Sequence, residues 1–192
     1  LQHNKQELLT LRNREQKAEL FFANIKQNSP TEVTMGDFGT AVNPRIRHTH
    51  LQLASGSTLN LLNTSIRPDS CISAEGATLN LLGTDITIEG NAKQQDTTTH
   101  QNKSVPLLTF PCHSLQGKLT ITGNFLIKLP NIPTAHKNAL IRVQFAPGIR
   151  ICTDKIRASL KRHGKAQRIQ GFMRPGEENA VYFHISANNK TR

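Results

Sequence analysis

The sequence predicts a mainly β protein, arranged as a β-solenoid or a β-sandwich and preceded by an amphipathic helix. Three observations carry that expectation. Residues 56–66 and 76–86 read GSTLNLLNTSI and GATLNLLGTDI, identical at 8 of 11 positions and separated by 20 residues without a gap. A fixed short period is the mark of stacked units that bury their apolar faces against one another. From residue 31 onward apolar and polar residues alternate with a period of two, the pattern of half-buried strands. With no Trp, one Tyr and abundant Thr, Asn and Gln, the composition suits thin β layers with Leu and Ile interiors.

Residues 1–30 form the predicted helix, ended at Asn28-Ser29-Pro30 because Pro disfavours helical geometry at the residue before it. On a heptad frame Leu1, Leu8, Glu15 and Phe22 share one seam position, and Asn4, Leu11, Ala18 and Ile25 the other. The seam suits a coiled-coil stalk that makes a homo-oligomer through residues 1–28, or a helix packed on its own domain. Residues 31–90 hold the β repeats. In a solenoid Asn60 would stack on Asn80 and Thr58 on Thr78 about 4.8 Å apart, giving hydrogen-bonded ladders of like side chains; in a sandwich the two copies would be antiparallel strands. Residues 91–104 hold almost nothing to bury and are expected as a flexible loop between two halves. Residues 105–187 form a second β-rich half, and residues 188–192 a polar tail. Within that half residues 153–171 fit either a short helix capped by Thr153 and stopped at Gly164 or, favoured because strands surround it, a hairpin turned at His163-Gly164 between residues 156–162 and 165–172.

Charge divides the chain at the same place. Residues 1–100 carry 9 Lys or Arg and 10 Asp or Glu, a balance of −1, whereas residues 101–192 carry 15 and 3, a balance of +12. The densest cluster is Arg150, Lys155, Arg157, Lys161, Arg162, Lys165, Arg168 and Arg174, with Asp154 the single acid between residues 150 and 174. These eight are the candidate binding residues, for an acidic protein, an anionic envelope polymer or the phosphates of a nucleic acid. Aromatic interleaving for base stacking is missing from the cluster.

Other chemistry finds little support. Cys71, Cys112 and Cys152 have no metal-finger spacing and fit buried thiols, or one disulfide with a free thiol in an oxidising compartment. Cys112 and His113 are neighbours on a strand and point to opposite sides, so they do not form a nucleophile–base pair. His48 and His50 share a strand face without an identifiable third metal ligand. Phosphate-loop, dinucleotide and Gly-x-Ser-x-Gly motifs are absent, so no catalytic residue, metal or cofactor is assigned.

The Gly-x-Thr-Leu-Asn-Leu-Leu-x-Thr-x-Ile units resemble the coils of β-solenoid passenger regions in bacterial surface proteins such as autotransporters and filamentous adhesins, over residues 53–90 with an echo at residues 115–123. That resemblance implies a scaffold outside the cytoplasm and transfers no catalytic residue. A helix followed by strands is similar in layout to pilin-type proteins whose leading apolar half-helix is missing. The expectation is a non-enzymatic, extracytoplasmic binding or assembly domain, tethered by a membrane segment upstream of Leu1. The alternatives are a nucleic-acid-binding regulator using residues 150–174 and a polysaccharide-active β-helix, in which Asp69, Glu75, Asp85 and Glu89 would line one side.

Overall fold

The computed structural model describes residues 19–20, 24–26, 32–36, 45–46, 50–92, 94–132, 137–162 and 164–186. In chain order the strands are β1 (Glu19–Leu20), β2 (Asn24–Lys26), β3 (Glu32–Gly36), β4 (Arg45–Ile46), β5 (His50–Leu53), β6 (Thr58–Leu62), β7 (Ser65–Ile66) and β8 (Cys71–Thr87). They continue as β9 (Gln94–His100), β10 (Lys103–Pro111), β11 (Leu115–Lys128), β12 (Ala139–Gln144), β13 (Ile149–Ile151), β14 (Lys155–Arg162), β15 (Lys165–Gln170) and β16 (Ala180–Ile185). The protein is mainly β, and the described residues form one sheet of twelve strands and one of four.

The large sheet is organised on β8, a strand of 17 residues. Along one edge it pairs in parallel with β5, β6 and β7 in succession. Along the other it pairs in parallel with β11 over 14 positions. The two repeat copies are therefore parallel neighbours in register, Thr58 beside Thr78 and Asn60 beside Asn80, rather than antiparallel sandwich strands. The same alignment extends outward from β6 to β3 and from β11 to β13.

Register puts like side chains in columns. Leu59, Leu79, Ile121 and Ile151 occupy aligned positions and are all buried. Ile66, Ile86, Ile127 and Ala158 form a second buried column. Each fully buried Leu or Ile contributes about 1.5–3 kcal/mol relative to exposure, so these columns are the main cohesive term of the sheet. On the opposite face polar groups align as well. Asn60 Nδ2 donates to Glu32 Oε1 at 2.8 Å, Asn80 Nδ2 to Asn60 Oδ1 at 3.0 Å, and Thr122 Oγ1 to Asn80 Oδ1 at 3.1 Å. Stacked identical amides satisfy each other because one offers an N–H where the next offers a carbonyl.

The stack needs tight corners. Gly123 has φ +93, and a Cβ there would lie 2.0 Å from the Leu81 carbonyl oxygen. Both the left-handed backbone and the close approach of the neighbouring strand therefore call for glycine.

The small sheet runs β16-β12-β10-β9. Leu108, Phe110, Ile141, Val143, Val181, Phe183 and Ile185 on its inner face join the core of the large sheet. Val105, Leu107, Leu140, Ala180 and Tyr182 make a second, smaller core on the outer face, covered by Phe172.

Two expectations change here. Residues 94–100, expected within a flexible loop, are strand β9, paired antiparallel with β10. The turn is made by Gln101 at φ 51 and Asn102 at φ 62, the double left-handed geometry of a tight two-residue hairpin turn. Nor do residues 91–104 separate two lobes, because β11 lies beyond them and yet pairs along β8. Most of the helix expected over residues 1–30 lies outside the described residues. The described part of it, β1 and β2, is strand, paired in parallel with β4 and β5. The hairpin of β14 and β15 matches expectation, with Gly164 at φ +75 in its turn.

Substituting Gly123→Ala is expected to cost roughly 2–4 kcal/mol through strain and backbone collision. Gly90→Ala, also at positive φ but with nothing within 4 Å of the added Cβ, should cost only the strain, about 1 kcal/mol. Urea unfolding of the two variants checks the difference, and equal losses would remove the close approach as its cause.

Candidate anion-binding face

Alternation along β14 and β15 decides which of the eight predicted basic residues meet. Ile156, Ala158 and Leu160 are buried, so Lys155, Arg157, Ser159 and Lys161 project from the other face of β14. In the antiparallel register Ser159 lies opposite Arg168, which places Arg168 on that same outward face. The parallel neighbour β11 contributes Asn124 beside Lys155, Leu126 beside Arg157 and Lys128 beside Ser159. Five cations thus share one face of three adjacent strands, and four of them belong to the predicted set.

Lys155, Arg157 and Arg168 line a shallow cleft of about 450 Å³ together with Gly83, Thr84, Asn124, Phe125 and Leu126. Asn124 Oδ1 accepts the Gly83 N–H at 2.8 Å. Lys128 at the margin sits 3.6 Å from Asp85 Oδ2. Asp85 also accepts a hydrogen bond from Ser65 Oγ at 2.8 Å. Both contacts fall on Oδ2, whereas Oδ1 is buried without a hydrogen-bond partner among the described residues.

The other predicted residues lie elsewhere. Arg150 is on β13, with Nε 3.7 Å from Glu178 Oε1, both side chains more than half exposed. An exposed pair of this kind contributes little. Lys165 sits at the hairpin end of β15, opposite Arg162, whose side chain is outside the described set. Arg174 belongs to another environment altogether. Its guanidinium lies 4.4 Å from the centre of the Tyr182 ring and donates to Thr98 Oγ1 and the Thr99 carbonyl, each at 3.2 Å. It fastens the segment after β15 onto the small sheet, a packing role for a planar cation.

Around Arg174 is a cluster the sequence did not signal. The Phe172 ring stacks on Tyr182 and on His100, with centroids 5.8 and 5.3 Å apart, and His100 lies 4.6 Å from His184. The Tyr182 hydroxyl donates to Glu177. Burial first, and then the neighbouring His100, lower the His184 pKa below its ordinary 6.5.

The remaining candidates are placed singly. The His50 ring is 2.7 Å from Ser73 Oγ, and His48 is outside the described residues. Among the described residues no three His, Cys, Asp or Glu side chains come together as metal ligands. Cys112 is buried and His113 exposed, and both lie in the connection between β10 and β11 rather than on the strand expected for them. Burial pushes the Cys112 thiol up to about 11, Cys71 is raised by the same cause, and Cys152 is exposed. No helix among the described residues is long and apolar enough to cross a membrane. No family model matches the chain, and no curated protein or solved structure matches it.

Two measurements follow from these placements. Because the folded state resists protonating His184, stability should be full above about pH 6.5 and fall as the pH drops from there toward the lower folded value. Urea midpoints at about pH 7.5 and pH 5 should differ less in His184→Gln than in the parent protein. For the thiols, alkylation of the native protein near pH 8 should label Cys152 first and leave Cys112 unmodified until the protein is unfolded, since only the thiolate reacts. Mass mapping of the labelled peptides would show the order.

Proposed function

We propose that this chain is a non-enzymatic binding scaffold of the β-solenoid type, working outside the cytoplasm and presenting a basic face to an anionic partner, either an acidic protein or an envelope polymer. The observation that carries the binding reading is the convergence of Lys155, Arg157, Lys161 and Arg168 on one outward face, joined by Lys128. Asp85 is the carboxylate paired with that face, and it is tied to Lys128 at the margin. The solenoid part of the proposal draws support from the parallel 20-residue register of the two repeat copies and the shared Asn60–Asn80 ladder. Extracytoplasmic placement draws on the likeness of those repeats to bacterial surface proteins, and tethering remains part of the same proposal.

A flat β face with alternating cations holds a polyanion by charge at several points rather than by enclosing it. Such binding is fast, tolerant of sequence and strongly weakened by salt. Nucleic acid is the second reading, because phosphates would satisfy the same cations. Where β11 runs beside β14, the outward positions of the two strands are Asn124, Leu126, Lys128, Lys155, Arg157, Ser159 and Lys161, none of them aromatic. That absence of a stacking platform favours a partner without bases.

Reversing charge at the centre, Arg157→Glu with Arg168→Glu, should lower affinity for heparin or polyglutamate by about tenfold or more at low salt and flatten the salt dependence. Arg150→Glu, away from the face, should leave binding nearly unchanged. Retention on a heparin column and fluorescence titration measure both. Unchanged binding in the double variant would sink the proposed face, and a marked preference for single-stranded oligonucleotides over polyglutamate would favour the second reading.

A further inference from the structure

Resting on the anion-binding face just described, we propose that its partner is an extended acidic peptide that adds as a further strand to the free edge of β15. The large sheet ends at β15, and among the described residues no strand pairs with its outer edge along residues 166–170. Antiparallel pairing directs both backbone polar groups of a residue toward the partner strand at one position and away from it at the next. The Gly171 N–H donates to the Ile156 carbonyl at 2.8 Å, so Gly171 points toward β14. Counting back by twos, Ile169, Gln167 and Lys165 also point inward, and Ala166, Arg168 and Gln170 offer their N–H and C=O groups outward. The register pairs Ile169 with Ala158, Gln167 with Leu160 and Lys165 with Arg162, as this phase requires. Just beyond, Phe172 exchanges hydrogen bonds with Tyr182, which closes the edge at that end. What stays open is a short strand edge suited to a peptide of a few residues.

Charge selects the occupant. Side chains of an added strand alternate between faces, and those on the cationic face would stand about 5 Å from Arg168, with Arg157 and Lys161 one strand further in. Acidic residues at alternate positions match that row. A second copy of β15 does not, because it would bring Arg168 and Lys165 against like charges, the usual way an exposed edge is kept from pairing with itself. Backbone hydrogen bonds would then supply affinity and the cations would supply selectivity, the division of labour seen wherever a peptide extends a sheet. A nucleic acid or a glycan has no groups that continue the ladder.

The test uses the whole protein and a fluorescein-labelled peptide of about eight residues with Glu and Thr alternating. Ala166→Pro removes one outward N–H without touching a bond to β14 or any charge, a position where an edge strand tolerates proline. The expected result is salt-sensitive binding of the peptide, weakened about tenfold by Ala166→Pro and likewise by N-methylating alternate amides of the peptide, while heparin retention stays the same. If Ala166→Pro lowers the melting temperature markedly, the N-methylated peptide decides alone. Equal affinity for the plain and N-methylated peptides, with binding lost in Arg168→Glu, would overturn strand addition and leave the anion-binding face standing. Failure of both peptide and heparin to bind would overturn both. Binding of an oligonucleotide without binding of the peptide would overturn this proposal in favour of nucleic acid.

Discussion

Parallel, in-register pairing along β8 is the constraint on which the rest of the structure depends. A strand of 17 residues with parallel neighbours on both edges sets side chains beside their counterparts over most of its length, with register shifts at Lys118/Leu119 and Asn124/Phe125. Inward columns are then stable only if aliphatic residues recur, as Leu59, Leu79 and Ile121 do. Outward columns are mixed: Leu62 lies beside Leu82, whereas Asn60 and Asn80 partner each other, each with a donor and an acceptor on one side chain. That ladder continues to Thr122 on one side and, on the other, to Thr34 in register and Glu32 on the diagonal.

The same constraint explains how the small sheet is accommodated. Residues 94–111 and 139–144 leave the stack between successive strands, yet pairing resumes on return. Leu119 falls beside Ala77, and Ile149 beside Leu119. Excursions are tolerated because a flexible connection costs closure entropy that grows only logarithmically with length, whereas the strands they join gain a full ladder of bonds. The excursions also contribute, since their own strands pair as a sheet whose inner face, with Phe110, Val143 and Phe183, seals the aliphatic core.

What could be read in the sequence follows from this. The repeat was legible because identity at a 20-residue spacing is register written into the chain, and Asn60 over Asn80 came directly from it. β9 was not legible, because an edge strand buries little. Its Gln, Asp and Thr residues look like a loop until the β propensity of three consecutive Thr residues and the left-handed turn at Gln101 and Asn102 are set against the partner β10. Lys155, Arg157, Lys161 and Arg168 stood out in the sequence only as members of a dense basic cluster, and it is the strand alternation along β14 and its register with β15 that bring them to one face. Lys128 was missed because it joins that face only through tertiary register, 27 residues before Lys155. Arg174 was grouped with the cluster by proximity in sequence. One stacking contact with Tyr182, invisible without the fold, takes it away.

The position of the basic residues has a structural consequence independent of any partner. β15 ends the large sheet, and an end strand with open polar groups invites pairing with another sheet. Lys165 and Arg168 on β15, and Lys155, Arg157 and Lys161 on the strand beside it, guard against that among like copies. Such protection acts through charge alone, so it discriminates: it repels a second basic edge and admits an acidic one. Cations continue inward from the edge to Lys155 and Arg157, along a cleft lined in part by Phe125 and Leu126, so the acidic strand proposed for that edge would meet them in one row.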